Sequence, residues 1–332
     1  MKLDTLWYTR QPAALLLLIP LLPLSGLYCL LMSLRRLAYR QGWLRSARCA
    51  VPVIVVGNLT LGGTGKTPLV IWLAQFMRKH GYKPGIISRG YKGKAKHWPQ
   101  AVQSNSDPLL VGDEALLLAR HSGCPVAVGP DRHAAVQALL SAHACDLIIS
   151  DDGLQHYGLH RDVEILMVDD IRRYGNGFCL PAGPLREPLQ RLQDADFIVT
   201  KGATLEHEFS MQYQMKDLVG VADSQRSLPL AQLRGKKVHA VAGIGHPERF
   251  FARLLDLGIK VVPHPYPDHH IFRAADIHFA DELPVVMTEK DAVKCHTLAG
   301  PQHWYIPIEA HLPLDFGERL LKHLTLRTAP HG

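Results

Sequence analysis

Hydrophobic positions fall into three regimes along this chain. Ala13 to Leu34 (AALLLLIPLLPLSGLYCLLMSL) is a run of 22 residues without a charge. As a helix rising ~1.5 Å per residue, such a run is long enough to cross a hydrocarbon core. From Val51 to Thr200, short β-branched runs alternate with segments of helical period. Strands are expected at Val51 to Val56, Gly85 to Ser88, Val126 to Val128, Asp146 to Ser150, Val163 to Val168 and Phe197 to Thr200; helices at Pro68 to His80, Asp113 to His121 and Asp131 to His143. Strands separated by helices of about a dozen residues read as β-α-β units, which build a mostly parallel, doubly wound α/β sheet with ligands at the carboxyl ends of its strands. After the polar stretch Ala222 to Arg234 a further set begins: strands at Val238 to Gly243, Lys260 to Val262, Val285 to Thr288 and His303 to Ile308, with a helix at His246 to Leu257. The expected organisation is a membrane-associated helix with a basic flank in residues 1–50, a larger α/β domain in 51–230 and a smaller α/β lobe in 231–332.

Charge sharpens this division. The net charge is +7, and the first fifty residues hold seven basic side chains (Lys2, Arg10, Arg35, Arg36, Arg40, Arg45 and Arg48) against Asp4 alone, leaving 30 of the 37 basic and 29 of the 30 acidic side chains to the rest. The body is neutral and the basicity belongs to the apolar segment, which argues against nucleic-acid binding. A cleaved signal peptide fits poorly, because the apolar run is too long, five arginines follow it and no A-x-A site precedes Arg35. Pro20 and Pro23 interrupt a helical hydrogen-bond ladder, so the segment either spans the membrane or lies kinked in its interface. In both cases the arginines prefer the anionic cytoplasmic leaflet, which puts the body in the cytoplasm. Six cysteines lie far apart with no C-x-x-C pair, the pattern of a reducing compartment rather than of a disulfide framework or zinc ribbon.

The strand VPVIVV leads into Gly57-Asn58-Leu59-Thr60-Leu61-Gly62-Gly63-Thr64-Gly65-Lys66-Thr67, with a helix after it. Strand, glycine-rich loop and helix is the setting of a P-loop, where backbone N–H groups at a helix N-terminus turn toward phosphate oxygens. ATP is the expected nucleotide, bound by Thr60 to Thr67. Lys66 is expected on the β- and γ-phosphates and Thr67 on Mg²⁺. G-x-x-x-x-G-K-[ST] asks for glycine where this chain has Thr60, so Gly62 and Gly63 are expected to supply the flexibility instead. A second carboxylate on the metal belongs at the end of an apolar strand, and Asp151 and Asp152 follow Leu147-Ile148-Ile149-Ser150. Adjacent acids repel unless a cation lies between them, so this pair reads as a Mg²⁺ or substrate site. Gln155 and His156 share that loop as possible polar orienters.

Other polar clusters are less specific by themselves. Asp113 opens a predicted helix and is either its cap or a chemical group. Tyr266-Pro267-Asp268-His269-His270 lies outside any strand, where a histidine can support a general base. Arg89, after a short strand, is placed to meet phosphate. Thr288-Glu289-Lys290-Asp291 is not the N-K-x-D guanine reader, since its lysine and aspartate are adjacent.

Taken in order, VGNLTLGGTGKTP, SRGY, GDE, SDDGLQH, LPAGPLREP, AGIGHPERF, PDHHIF and TEKDAVK closely resemble the tetraacyldisaccharide 4'-kinases, the lipid A kinases of Gram-negative bacteria. The resemblance covers roughly residues 10 to 310. It implies a P-loop NTPase-type core that transfers the ATP γ-phosphoryl group to the 4'-hydroxyl of a tetraacylated glucosamine disaccharide 1-phosphate, giving lipid IV A at the cytoplasmic face of the inner membrane, with no obligate protein partner. It also implies that Asp113 and His269 act together, with His270 a lesser candidate. An aspartate ordinarily titrates near ~3.9, and a hydrogen-bonded histidine is expected to orient it and raise its basicity. The residues alone support a membrane-bound, Mg²⁺-dependent phosphotransferase; the alternative is a membrane-tethered ATPase switch acting on a protein partner.

Overall fold

The computed structural model describes residues 3–9 and 16–328; the first three residues of the apolar run lie outside the described residues. Among these, nine strands form the larger sheet: β1 (Val53–Gly57), β2 (Pro84–Ser88), β3 (Gln100–Val102), β4 (Val126–Val128), β5 (Leu147–Asp151), β6 (Val163–Asp169), β7 (Phe197–Lys201), β8 (Phe209–Met215) and the late strand β15 (Ile308–His311). Their order is β15-β8-β7-β6-β1-β5-β2-β4-β3, parallel except at the two edges, where β3 and β15 run antiparallel to their neighbours. The central strands are aliphatic throughout because both faces are covered. Ile54, Val56, Leu147 and Ile149 pack with Leu69, Leu73 and Met77 of α3 (Lys66–Lys79), while Val53, Val55 and Ile148 pack with Val136 and Leu139 of α6 (Arg132–Ala142). Between these helices come α4 (Pro108–Val111) and α5 (Asp113–His121). A doubly wound, mostly parallel sheet is the result.

The smaller sheet contains β9 (Leu218–Gly220), β10 (Ser227–Leu228), β11 (Lys237–Ala242), β12 (Lys260–Pro265), β13 (Val285–Thr288) and β14 (His303–Ile306), with helices α7 (Pro247–Asp256), α8 (Ala274–Ile277) and α9 (Glu289–Cys295). The chain changes sheets after Met215, not near residue 230, and returns after Ile306, where Lys216 N–H donates to Pro307 C=O at 3.0 Å. The polar stretch Ala222 to Arg234 is therefore an excursion inside the smaller lobe. Its composition marks turns, and turns within a lobe look the same in sequence as linkers between lobes. The final helix α10 (Leu314–Thr328) packs Phe316, Leu320 and Leu324 into the core of the larger lobe.

Contacts on both sides of one cleft join the lobes. On one side α5 packs on α9 through Leu116, Leu117 and Val293, with His121 Nε2 at 2.6 Å from Glu289 Oε1. On the other, Asp169 at the end of β6 is bound by Arg249 of α7, at 3.1 Å from Oδ1, and by Lys201 at 3.4 Å. Burial works against the Asp169 charge, but Arg249, the Arg172 amide and Lys201 outweigh it and hold the carboxyl down at about 2. A depressed carboxylate stabilises the fold above its unfolded pKa and loses that contribution as pH falls through the folded value. Asp169→Asn is thus expected to cost about 2 kcal/mol at pH 7, a few degrees of melting temperature. The gap between variant and wild type should narrow below about pH 4; melts at pH 7 and pH 3 with equal gaps would contradict it.

Before the larger sheet come α1 (Leu3–Tyr8) and α2 (Leu22–Arg40). The two prolines do not kink α2: Pro20 lies in the short 3-10 turn Ile19–Leu21 and Pro23 in the first turn of α2, where a proline displaces no helical hydrogen bond. One polar side of α2 is fastened to the body along its length. Ser25 donates to Cys179 C=O (2.7 Å), Tyr28 donates to Arg186 C=O (3.1 Å), Arg36 pairs with Asp194, and Tyr39 stacks on Tyr157. Leu24, Leu27, Leu31 and Leu34 are each more than half exposed on the helix.

Candidate active site

β1 ends at Gly57 and α3 begins at Lys66, so residues 58–65 form the loop between them. Its first half is held in an extended bridge. Thr60 pairs with Leu185, the Leu61 N–H donates to Pro184 C=O at 2.8 Å, and the Arg186 N–H donates to Leu59 C=O at 2.7 Å. Extended backbone suits threonine, which is why no glycine is needed at position 60. The left-handed turns come later, at Gly62 (φ 101°) and Gly65 (φ 92°); Gly63 is not in that region. At Gly65 a Cβ would collide with the Tyr213 hydroxyl, so β8 closes the loop from the outside. The Thr64 hydroxyl is buried without a partner. Lys66 Nζ lies 3.0 Å from Asn58 Oδ1, and the Asn58 amide donates to Thr60 C=O at 2.8 Å, so an asparagine inside the loop fixes both loop and lysine.

Asp151, the last residue of β5, is 2% exposed and its Oδ1 has no partner. Burial, then the charges of Glu114 and Asp152, push its carboxyl up to about 7 against the pull of Lys66 and Arg132. Asp152, at φ 50°, meets Lys66 Nζ at 3.3 Å and Arg186 Nη1 at 3.2 Å. Burial alone would raise it, yet those two cations bring it down to about 2. The adjacent carboxyls are thus pushed in opposite directions, and Asp151, the neutralisable one, has a buried oxygen without a partner. Together with the Thr67 hydroxyl on the first turn of α3, this is a set of hard oxygen donors that fits Mg²⁺.

Asp113 is the first residue of α5, and Gly112 (φ 92°) rather than Asp113 occupies the cap. Its Oδ1 accepts from the Glu114 N–H at 2.9 Å, and its Oδ2 lies 2.9 Å from His269 Nδ1, across 156 positions of sequence. His269 stands in the loop after β12 at φ 62°, its N–H donating to Gly243 C=O and its ring edge-on to Tyr91 at 5.4 Å. The expected rise in Asp113 basicity is not found. Burial raises its pKa, but the His269 hydrogen bond, Lys290 and Lys294 outweigh burial and lower it. A donor on the ionised form stabilises that form, so the pair keeps Asp113 charged and oriented. Glu114 connects the two halves of the cleft, since its charge is felt at Asp151 on one side and by Lys290 on the other.

The remaining expected candidates divide by their contacts. His270 binds Asp276 at 3.0 Å and stacks on Tyr266, within its own loop. Gln155 donates to Asn58 C=O at 3.1 Å and supports the phosphate loop. His156 is pushed down to about 4 by burial and by Arg132 and Arg161, which makes it neutral at physiological pH. Arg89 is exposed at the end of β2.

A family model described as tetraacyldisaccharide-1-phosphate 4'-kinase, LpxK, matches residues 17–325. The chain belongs to this family. A tetraacyldisaccharide 4'-kinase of Nitrosococcus oceani is 55% identical over 315 residues, covering 95% of this chain and 92% of that protein. One from Alkalilimnicola ehrlichii is 53% identical over 302 residues, covering 90% of each. The fold matches a crystal structure of LpxK from Aquifex aeolicus in complex with ATP with a TM-score of 0.78 at 29% identity, over 94% of this chain and 99% of that one. Against this family background, Asn58, Arg186, Tyr213 and Lys290 are site neighbours that sequence reasoning did not single out. In the sequence Arg186 stands only within LPAGPLREP, and Lys290 only within TEKDAVK, where its spacing excludes a guanine reader.

Proposed function

We propose that this chain transfers the γ-phosphoryl group of ATP to the 4'-hydroxyl of a tetraacylated glucosamine disaccharide 1-phosphate, giving lipid IV A. The observation that carries this reading is the cleft itself: a P-loop lysine and a split carboxylate pair on one wall, and the Asp113–His269 pair on the other. The loop amides and Lys66 hold the phosphates, and Lys66 and Arg186 neutralise charge around Asp152. Thr67, Asp151 and Asp152 would hold Mg²⁺, which supplies charge neutralisation at the phosphates when bound. Asp113, kept ionised by His269, orients the sugar hydroxyl and accepts its proton late in a loose transfer, for which a base of low pKa suffices. The test is acceptor dependence: ATP consumption by the purified protein should require the lipid disaccharide and match the phosphate found on it. Consumption that responds to a protein and not to the lipid would refute the reading.

We further infer that α2 lies in the interface at the cytoplasmic face of the inner membrane rather than crossing it. Its contacts with the body run from Ser25 to Tyr39, so a crossing helix would drag polar protein into hydrocarbon, whereas its outward leucines suit shallow burial. Leu24, Leu27, Leu31 and Leu34 all changed to glutamine should weaken sedimentation with anionic vesicles by about 10²-fold or more. The apparent KM for lipid should rise more than that for ATP. Unchanged partitioning would contradict this placement.

A further inference from the structure

Lys290 has no assigned part in the reaction, yet its surroundings are unusually constrained. It sits in the first turn of α9, directly after β13. Asp291 beside it is fully buried and fixes that turn: its carboxylate accepts from the Thr288 hydroxyl (2.6 Å), the Gly243 N–H (2.9 Å) and Lys294 (2.7 Å). Gly243 in turn accepts from the His269 N–H, so the turn carrying Lys290 and the loop carrying His269 are fastened to each other.

The Lys290 ammonium faces three groups: Glu114 Oε1 at 3.0 Å, Asp268 Oδ1 at 3.4 Å and His269 Nε2 at 3.4 Å. An ammonium has three N–H donors and no lone pair. Burial opposes its charge, but the carboxylates of Glu114, Asp113 and Asp268 hold it protonated, above an ordinary lysine. Nε2 of His269 must therefore present its lone pair. The single ring proton is left on Nδ1, which donates it to Asp113 Oδ2 at 2.9 Å.

Relying on the reading of Asp113 and His269 as the acceptor-side pair, we propose that Lys290 is a positioning residue that holds the His269 proton on Nδ1 and keeps Nε2 unprotonated, so that Asp113 faces the hydroxyl as a carboxylate not tied to an imidazolium. The charges facing the ring come from every side: Asp113 from α5, Asp268 from its own loop at 3.7 Å from Nε2, and Lys290 from α9, with Lys294 acting on Asp113. The Tyr91 ring closes the remaining edge. Asp113 and Asp268 favour a second ring proton; Lys290 is the cation at the ring that opposes it. Without that charge nothing at the ring opposes a second proton, which would tie Asp113 into an ion pair and make it a poorer proton acceptor.

The test uses the full-length protein labelled with ¹⁵N-histidine, the His269 signals being assigned by their loss in His269→Gln. In the wild type at pH 7.5, Nδ1 should be protonated and Nε2 bare; a proton on Nε2, alone or with Nδ1, overturns the proposal whatever the Lys290 variants do. In Lys290→Met, the acid limb of kcat/KM for lipid should move up by about one pH unit, a loss of a few-fold at neutral pH that grows toward about tenfold below the limb and vanishes as pH rises. Lys290→Arg, which keeps the charge, should return the limb toward its wild-type position. A uniform loss across about pH 6.5 to 9 in folded Lys290→Met, or a folded Lys290→Arg that leaves the limb displaced, would show a merely structural role. Failure of the underlying pair reading is recognised separately: Asp113→Asn would then stay active while the His269 tautomer remained as described.

Discussion

Lys66→Ala is expected to lower kcat by about 10²-fold or more, and Thr67→Ala likewise, while both proteins remain folded. The expectation rests on where Lys66 is held. Its ammonium stands between Asn58 Oδ1 and Asp152, at the opening of α3, and its side chain is 11% exposed. The helix it begins draws its stability from Leu69, Leu73 and Met77, none of which touches solvent, so removal of the charge leaves the packing intact. What is lost is a preorganised cation where negative charge accumulates during transfer, and that interaction is stronger in the transition state than with bound ATP. The fall should therefore appear in kcat more than in ATP affinity. Wild-type turnover in either folded variant would remove the phosphate-loop assignment.

Asp113→Asn and His269→Ala should each lower kcat by about 10² to 10³-fold, with little change in ATP affinity, because both lie on the acceptor wall of the cleft. Asparagine preserves the contact from Asp113 Oδ1 to the Glu114 N–H, so the helix start survives the change. The pair shares one hydrogen bond at 2.9 Å, and residues that act as a unit are not additive. The double variant should lose far less than the product of the two single losses. A stable, fully active Asp113→Asn would rule out the base.

The phosphate loop, the Asp151–Asp152 pair and the alternation of strands and helices were legible because each is written locally, in a few consecutive residues with one period or one conformation. The Asp113–His269 pair was legible only through family resemblance, since nothing local shows that residues 156 positions apart meet. The sheet exchange after Met215 was missed although Phe209, Met211, Tyr213 and Met215 alternate with polar residues; period two announces a strand but not the sheet it joins. Thr60 looked like a defect because its extended bridge to Leu185 is a tertiary contact. The direction of the Asp113 shift follows from the His269 hydrogen bond and then from Lys290 and Lys294, all brought in from the distant smaller lobe.

The central claim is tested most directly by a single turnover of [γ-³²P]ATP mixed with excess purified protein and the tetraacylated disaccharide 1-phosphate in mixed micelles. Label should appear on the lipid as a new phosphomonoester at the 4'-oxygen, in proportion to ATP consumed, and should be nearly absent with Lys66→Ala or Asp113→Asn. Label released only as inorganic phosphate, or found on a protein while the lipid stays unlabelled, would contradict the account.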